Sequence, residues 1–225
     1  MMRDYTRFEA NLSRLQQDVY AQPPDIGHTL WGAHAIGRFL EHLGPGTVKS
    51  VLDVGCGQAV FASLFKGEPW NIEWTGVTIG EDYDVAVQFQ PSVHNCDFSF
   101  LPFDDNQFDM VFARHALEHS PFPILTLMEW RRVCRKHLVV IAPAAEHWGV
   151  RGRNHYSVAT QDQLKWYLLR AGWGEPVLED HFISDHPLFH EAWKLNEIPN
   201  QHGEIPSGIM VEYRFLCEKT EEVDI

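Results

Sequence analysis

The sequence predicts an α/β fold, and three observations support this prediction. A short apolar run at residues 51–54 suits a strand that is buried on both faces. Gly55 and Gly57 follow it directly, and apolar residues at helical spacing follow them from Ala59 onward. A chain of 225 residues is long enough for one such domain with a sizeable core. A strand, a glycine turn and a helix in this order can form a nucleotide site, because backbone N–H groups are presented where the helix begins.

Composition and charge narrow the classes of function. The formal net charge of -13 argues against general attraction to nucleic-acid phosphates or to anionic membranes. No apolar run approaches membrane-spanning length, and the charged N-terminus does not resemble a signal peptide. The four cysteines are scattered without a Cys-x-x-Cys pair, which is typical of reduced thiols. We therefore expect a cytoplasmic protein that binds neither membranes nor nucleic acid, while its oligomeric state stays open.

Before the glycine turn, the sequence predicts two helices. Residues 5–15 carry apolar side chains at helical spacing, and a second apolar face runs through residues 30–40. The Pro23-Pro24 pair separates the two helices, and the Gly-Pro-Gly turn at residues 44–46 ends the second.

After the glycine turn, strands and helices alternate. Strands are predicted at about residues 72–79, 93–96, 110–113, 137–143, 176–182 and 209–217. A helix over about residues 123–135 is expected to turn four apolar side chains toward the sheet: Ile124, Leu127, Met128 and Val133. Thr160 and Gln163 predict a capping box at the start of a further helix. The long connections at residues 144–158 and 183–208 remain, and connections of this length are usually functional.

The motif around the glycine turn excludes two common nucleotide sites. Val60 stands where a dinucleotide fingerprint needs its third glycine, and the chain has no Gly-Lys-Ser/Thr run of a P-loop. Asp53 followed by Gly-x-Gly instead resembles the first motif of class I S-adenosylmethionine-dependent methyltransferases. The run LPFDDNQFDMVFARHALEH at residues 101–119 resembles the type-11 branch of that family more specifically. The resemblance extends over essentially the whole chain.

This resemblance implies a Rossmann-like, mainly parallel seven-stranded sheet with helices on both faces and the last strand antiparallel. Residues 1–46 would form a helical lid, and residues 47–225 a methyltransferase domain whose two long connections are acceptor loops. Trp31 in the lid is expected to pack in the core, since large aromatic side chains usually do. The cofactor would be S-adenosylmethionine, whose sulfonium is already activated, so that no metal is required.

The resemblance also assigns cofactor contacts to residues at the strand ends. These predicted contacts are Asp53, Gly55, Cys56, Gly57, Thr78, Asp97, Phe98 and Arg114. Asp53 would order the turn and reach the cofactor's ammonium, directly or through water. Asp97 and Phe98 would contact the adenine. Thr78 stands where the family places an acidic residue for the ribose hydroxyls, so that Glu81 or Asp82 is the alternative ribose partner.

The class of acceptor follows mostly by exclusion. The chain lacks the Asn/Asp-Pro-Pro-Tyr motif and the Pro-Cys nucleophile of two classes of nucleic-acid methyltransferase, and Arg114 replaces the acid of catechol-type enzymes. A small molecule, such as a sugar or a carrier-bound biosynthetic intermediate, is therefore the expected acceptor. His155 is the candidate catalytic base, and the alternative is that His155 and Tyr156 only shape the pocket. A catalytically inactive cofactor-binding or regulatory protein is the alternative function, which Thr78 favours.

Two histidine pairs raise the question of a metal. His115 and His119 are four residues apart beside Glu118, but the order differs from the His-Glu-x-x-His of zincins. His186 and His190 have the same spacing without a third ligand nearby in the sequence. We expect no metal at either pair, and the resemblance favours a structural or cofactor-lining role for the first.

Overall fold

The computed structural model describes residues 11, 14, 15, 24–148, 154–195 and 207–220. Most of the helix predicted at residues 5–15 and parts of both predicted acceptor loops lie outside these residues. The described elements in chain order are α1 (Ile26–Leu43), β1 (Ser50–Val54), α2 (Ala62–Lys66), β2 (Glu73–Thr78), α3 (Glu81–Phe89), β3 (Val93–Asn95), β4 (Phe108–Arg114), a 3-10 turn (Leu117–His119), α4 (Pro123–Val133), β5 (Cys134–Pro143), α5 (Ala145–Trp148), α6 (Gln161–Arg170), β6 (Leu178–Glu179), β7 (Phe182–Ile183), α7 (Pro187–Leu195) and β8 (Met210–Glu218).

One sheet organises the described part of the chain. Its strand order is β3-β2-β1-β4-β5-β8-β6, and β7 also pairs with β8. Strands β1 to β5 are parallel to one another, whereas β8 runs antiparallel to β5. The predicted Rossmann-like sheet with an antiparallel last strand is therefore confirmed.

The edge of this sheet differs from the prediction in detail. A single strand was expected at residues 176–182, but β6 and β7 are two separate strands of two residues, both antiparallel to β8. The interruption contains Asp180, whose amide still donates to the Arg214 carbonyl at 3.0 Å. The edge therefore stays attached to β8 across the break, and the sheet has eight strands rather than seven.

The central strands are buried on both faces, which is why they are almost continuously apolar. Successive side chains of a strand point to opposite faces of the sheet. Leu52 and Val111 accordingly pack into one core cluster with the helices α4 and α6. Val51 and Phe112 pack into a second cluster with α1 and α2. Two helical layers thus cover the sheet and leave the carboxyl ends of its strands at one edge.

Two helix predictions need correction. The helix after the glycine turn was expected from Ala59 but begins at Ala62, because Ala59 has a φ of 61°, which lies outside the right-handed helical region. In α4, Leu127 and Val133 are buried as predicted, but Met128 is 49% exposed and its predicted sheet-facing position is wrong. Met128 follows Leu127 directly, and consecutive helical residues do not share a face.

At the start of α6, one of the two hydrogen bonds of the predicted capping box forms. Thr160 Oγ1 accepts a hydrogen bond from the Gln163 amide at 3.3 Å. The Gln163 side chain does not return to Thr160 but donates to Tyr167 Oη at 2.8 Å, one helical turn further along. Capping at this end therefore depends on the threonine alone.

Aromatic contacts of Trp31 join helix α1 to α7 and to the edge strand β7. Trp31 is 4% exposed, and its ring stacks on Phe189 of α7 with the centroids 5.0 Å apart. A second contact joins Trp31 to Phe182 of β7 at 5.2 Å. The expected packing of Trp31 in the core is confirmed, while the function of residues 1–46 as a lid stays a prediction.

Asp109 ties the start of β4 to its neighbours, at the end of the sheet away from the glycine turn. Its carboxylate accepts hydrogen bonds from the Lys49 amide at 3.0 Å and from Arg135 Nη1 at 2.6 Å. Burial alone would raise the pKa of Asp109, but these hydrogen bonds outweigh burial and hold the pKa below its usual value. The carboxylate therefore contributes stability above its unfolded pKa of about 3.9, and this contribution is lost as the pH falls through the folded pKa.

We expect Asp109→Asn to lower the free energy of unfolding by about 1.5–3 kcal/mol near neutral pH, the range for a hydrogen bond to a charged group. The difference from the parent should shrink below about pH 4, because the parent carboxylate is then protonated in the unfolded chain and progressively in the folded chain. Urea denaturation at both pH values measures this. Asp105→Asn is the control, since Asp105 is 71% exposed in its ion pair and should contribute under about 1 kcal/mol. An unchanged difference at low pH would contradict the assignment.

Candidate functional site

The carboxyl ends of the parallel strands meet at one edge of the sheet, where ligands of open α/β sheets bind. The glycine turn follows β1, Thr78 ends β2 and Arg114 ends β4. The described segment 154–157 also reaches this edge, because its backbone bonds to the 3-10 turn after β4. The sequence-predicted residues are thus distributed around one region of the molecule.

The glycine turn is shaped by two residues with positive φ. Gly55 has a φ of 71°, and a Cβ added there would lie 2.8 Å from the Cβ of Ala116. The amides of Gly55 and Cys56 both donate to the Val77 carbonyl, at 2.9 and 3.0 Å, which ties the turn to β2. Gly57 has a φ of 52°, but a Cβ there would meet no atom within 4 Å. Gly55 therefore allows close packing, whereas Gly57 faces space in which a ligand can approach the backbone.

Asp53 and Cys56 are buried beside this turn. The Asp53 carboxylate is 2% exposed and accepts a hydrogen bond from Trp74 Nε1 at 3.1 Å. Burial raises the pKa of Asp53 to about 7, against the smaller opposing effect of the Trp74 hydrogen bond. Burial also raises the pKa of the Cys56 thiol, so that it stays protonated and is no nucleophile. The Asp53 carboxylate is thus held by Trp74 of β2, and its ordering of the turn and its contact with a cofactor ammonium stay predictions.

The end of β2 contains the residues expected near a ribose. Thr78 is 9% exposed, and Gly80 precedes α3 with a φ of 67° and open space at its Cβ position. Asp82 in the first turn of α3 accepts from Gln58 Nε2 of the glycine turn at 3.1 Å. Of the two acidic residues considered in the sequence, Asp82 is therefore the one held against the glycine turn.

The residues expected near an adenine follow β3. Asp97 Oδ1 accepts from the Ser99 amide at 2.7 Å, which closes a tight turn. The Phe98 carbonyl accepts from Trp130 Nε1 at 3.0 Å, and the two rings make an edge contact at 6.0 Å. This segment is thereby fixed on α4, and the adenine contact stays a prediction.

Arg114 belongs to a buried ionic network that the sequence analysis missed. Glu212 is fully buried, and its Oε1 accepts from Arg114 Nη2 at 2.7 Å and lies 2.9 Å from His115 Nε2. Its Oε2 accepts from Arg214 Nε at 2.9 Å and from Nη2 at 2.7 Å. Burial would raise the pKa of Glu212, but the two guanidinium groups outweigh it and hold the pKa well below its usual value.

Strand register explains why these charges meet. Arg114 and Arg214 lie on either side of Ile141 in the β4–β5–β8 ladder. Glu212 precedes Arg214 by two residues and therefore points to the same face of β8. The only local signal was the placement of Glu212 and Arg214 within an otherwise apolar strand. A contact of Arg114 with the cofactor stays a prediction, and its Nε is buried without a hydrogen-bond partner among the described residues.

A second cluster joins the turn after β4 to the segment that contains His155. Glu118 is 1% exposed, and its carbonyl accepts from the amides of Tyr156 and Ser157 at 2.7 and 3.0 Å. The rings of His119 and His155 make an edge contact with centroids 4.9 Å apart. One ligand atom from each of Glu118, His119 and His155 lies within 4.8 Å of the other two. The sequence analysis named all three residues but did not bring them together.

Burial sets the ionisation of this cluster. It lowers the pKa of His119 and of His155, where the neighbouring His119 adds to the effect. Both imidazoles are therefore neutral near pH 7, which suits either a base or a metal ligand. Burial raises the pKa of Glu118. Tyr156 is 38% exposed and lies at the rim of this region.

In the second histidine pair, His186 and His190, the contacts of His186 are structural. His186 Nδ1 accepts from the Leu188 amide at 3.1 Å at the start of α7, and its ring packs on His34 and Phe182. Within the described ranges, His186 and His190 join no group of three metal-ligating side chains.

Comparison with known proteins identifies the domain type. The family model for a methyltransferase domain matches residues 52–141. Over 116 residues the chain is 34% identical to a ubiquinone/menaquinone biosynthesis C-methyltransferase of Nitrosospira multiformis, covering 48% of this chain and 46% of that protein. The chain thus spans about half the length of the curated relative that it matches.

Two solved structures show the same fold. One is an S-adenosylmethionine-dependent methyltransferase from Archaeoglobus fulgidus, with a TM-score of 0.65 and 20% sequence identity. The alignment covers 85% of this chain and 94% of that protein. The other is a geranyl diphosphate C-methyltransferase from Streptomyces coelicolor, solved in complex with Mg²⁺, geranyl diphosphate and S-adenosyl-L-homocysteine. The alignment covers 86% of this chain and 80% of that protein, with a TM-score of 0.67 and 14% sequence identity. No helix within the described ranges has the length and apolarity needed to cross a membrane.

The sheet order and the match over residues 52–141 identify a methyltransferase domain with a Rossmann-like fold, and they support the resemblance to class I S-adenosylmethionine-dependent methyltransferases found in the sequence. More particularly, residues 52–141 are a methyltransferase domain of the matched family. This segment holds the glycine turn and the predicted cofactor contacts, whereas Glu212 and His155 lie beyond it.

We expect Glu212→Gln to destabilise the fold by about 3–5 kcal/mol, because removing one partner of a buried ionic group leaves the opposite charges buried without compensation. Chemical denaturation of the two proteins measures the difference. Glu179→Gln is the matched control, since Glu179 pairs with Lys165 but is 33% exposed and should contribute about 1 kcal/mol or less. Equal losses in the two variants would show that the Glu212 network does not act as a buried unit.

Proposed function

We propose that this protein transfers the methyl group of S-adenosylmethionine to a small-molecule acceptor. The observation that carries the proposal is the glycine turn after β1, where Gly57 combines positive φ with open space inside the matched methyltransferase domain. Backbone that a ligand can approach closely, at the carboxyl end of a central parallel strand, is the arrangement that a nucleoside cofactor needs.

The side chains around this turn fit such a cofactor. Gly80 leaves open space at the end of β2, as Gly57 does after β1. Thr78 and Asp82 offer oxygen acceptors for the ribose, and Asp97 and Phe98 offer an acceptor and an apolar face for the adenine. When bound, the cofactor supplies an activated methyl group. The protein residues then have to bind, orient and shield the reactants, since positioning accounts for much of the acceleration.

The acceptor is proposed to be a small molecule, such as a sugar or a carrier-bound biosynthetic intermediate. The net charge of -13 disfavours a nucleic-acid acceptor. The names of the curated relative and of the Streptomyces enzyme also refer to small molecules. The family match ends at residue 141, before both acceptor loops, so the methylated atom does not transfer from these relatives.

His155 is proposed to take a proton from a hydroxyl acceptor. Its imidazole is neutral near pH 7 because burial lowers its pKa. Its Nδ1 is buried without a hydrogen-bond partner among the described residues. In either tautomer of the neutral ring, one nitrogen carries a lone pair that can accept a proton.

A cofactor-binding protein without turnover is the second candidate, because Thr78 replaces the acidic residue that usually accepts from the ribose. The hydrogen bond between Asp82 and Gln58 weighs against it, since it places a carboxylate beside the glycine turn. Calorimetric binding of S-adenosylmethionine, followed by methyl transfer to a panel of hydroxyl, amine and carbon acceptors, separates the candidates. Binding without any transfer would favour the second.

Replacing Gly57 with Val should abolish binding of S-adenosylmethionine, because a branched side chain blocks backbone approach and disfavours positive φ. Isothermal calorimetry measures the affinity. Gly46→Val is the matched control: Gly46 also has positive φ and open space around it, but it precedes β1 at the opposite end of that strand. Gly46→Val should bind the cofactor normally. Unchanged affinity in a folded Gly57→Val variant would refute the site.

The ribose contact is tested by Asp82→Asn beside Glu81→Gln and Thr78→Val. If Asp82 replaces the missing strand-end acid, Asp82→Asn should weaken cofactor binding by about 1.5–3 kcal/mol, the range for a hydrogen bond to a charged group. Glu81→Gln should bind normally and serves as the control for the charge of this turn. A loss confined to Thr78→Val would assign the ribose to the threonine instead.

A further inference from the structure

The Glu118 carboxylate is buried without the hydrogen bonds that such a group normally has. Its side chain is 1% exposed, and neither Oε1 nor Oε2 has a hydrogen-bond partner among the described residues. The nearest ring nitrogens, His115 Nδ1 at 3.7 Å and His119 Nε2 at 3.9 Å, are too distant for hydrogen bonds. A buried carboxylate is usually satisfied by hydrogen bonds, an ionic partner or a metal.

Two imidazoles complete a possible donor set. One ligand atom from each of Glu118, His119 and His155 lies within 4.8 Å of the others. Ligands bound to one tetrahedral ion at about 2.0–2.1 Å are about 3.3 Å apart, so side-chain shifts on the order of 1 Å would close the site. His119 and His155 are only partly buried, which leaves a path for an ion to enter.

The surrounding backbone holds these side chains in place. His119 Nδ1 lies 3.1 Å from the Asn154 carbonyl, an acceptor that fixes the proton on Nδ1 and leaves the Nε2 lone pair facing Glu118. The amides of Tyr156 and Ser157 bind the Glu118 carbonyl, and Ser157 Oγ donates to the Ser120 carbonyl. These bonds on both sides of His155 fix its position relative to Glu118.

We propose that Glu118, His119 and His155 bind one divalent transition-metal ion, with zinc as the representative ion. Two imidazole nitrogens and one carboxylate oxygen suit zinc and its neighbours in the first transition row, whereas magnesium prefers oxygen ligands alone. Three protein ligands leave a coordination position open to another molecule, as in catalytic zinc sites. The expectation of a metal-free site came from the order of His115, Glu118 and His119, which differs from the zincin motif, and from the family resemblance. It did not consider His155 as a further ligand.

The cluster adjoins the proposed cofactor turn. Ala116, two residues before Glu118, packs against Gly55, where an added Cβ would lie 2.8 Å away. An ion here would therefore hold an oxygen-bearing acceptor close to the methyl group, and this last step rests on the proposed function. In the metal-loaded protein the His155 lone pair would be coordinated, so the ion would lower the pKa of a bound acceptor hydroxyl, and the hydroxyl proton would pass to solvent water rather than to His155.

The test is a titration of the tag-free full chain with Zn²⁺ after treatment with a chelator, in the absence of S-adenosylmethionine. Competition calorimetry gives the stoichiometry and affinity, and Co²⁺ provides visible absorption bands that report its ligands. We expect one ion per chain. Glu118→Gln, His119→Gln and His155→Gln should each weaken Zn²⁺ binding by about 100-fold or more, beyond the effect typical of residues that only orient a ligand. Excess Mg²⁺ should not displace the ion.

His181→Gln is the matched control, because His181 also lies beside a carboxylate, Glu179 at 3.1 Å, but outside the cluster. It should leave Zn²⁺ binding unchanged. Glu118→Gln should fold as well as the parent, since among the described residues the carboxylate makes no hydrogen bond that the amide would lose. If it does not fold, His155→Gln tests the site instead, because His155 is only partly buried. Absence of stoichiometric binding, or equal binding by the parent and His155→Gln, would overturn the site. The Gly57→Val experiment measures cofactor binding separately from Zn²⁺ binding. The metal site and the proposed function can therefore each fail without the other.

Discussion

The buried carboxylate of Glu212 is the constraint on which the packing of β4, β5 and β8 depends. Burying an ion is costly unless its charge and lone pairs are satisfied, and here two arginines supply three hydrogen bonds. Arg114 comes from β4 and Arg214 from β8, so the network spans β5 between them. Arg214 also donates to the Trp31 carbonyl at 3.3 Å, which attaches α1 to the same network. A shift of β8 by one residue would turn Glu212 to the opposite face and leave both arginines without it.

Local patterns were sufficient to predict most of the fold. The apolar run of β1 and the glycines after it act over a few residues, and their structure follows from burial and from allowed φ. The late start of α2 depended on Ala59, a residue that carries no signal for positive φ. The interruption of the edge strand includes Asp180, whose carboxylate lies 3.7 Å from Arg214 Nη1 on the neighbouring strand. Such contacts join distant parts of the sequence and have no periodicity to reveal them.

The candidate site shows the same contrast between local and long-range signals. The glycine turn was predictable because it is a continuous motif, and the family match includes it. The ionic network and the histidine cluster are assembled from separate segments: Glu212 lies 98 residues from Arg114, and Asn154, whose carbonyl contacts His119, lies 35 residues from it. Residue types alone identified Glu118, His119 and His155 as polar candidates. Contacts between the two segments bring them together, among them the hydrogen bonds of Tyr156 and Ser157 to the Glu118 carbonyl.

Glu118 and Glu212 show why burial by itself does not indicate what an acidic residue does. Both carboxylates are almost fully buried at the same edge of the sheet, yet burial raises the pKa of Glu118, while two arginines hold the pKa of Glu212 far below its usual value. His115 lies between them, 2.9 Å from one carboxylate and 3.7 Å from the other. The fully paired carboxylate has its interactions within the fold and can stabilise it. The Glu118 carboxylate has no hydrogen-bond partner among the described residues and lies beside the neutral imidazoles of His119 and His155. A cation bound by all three side chains would satisfy its charge without an arginine.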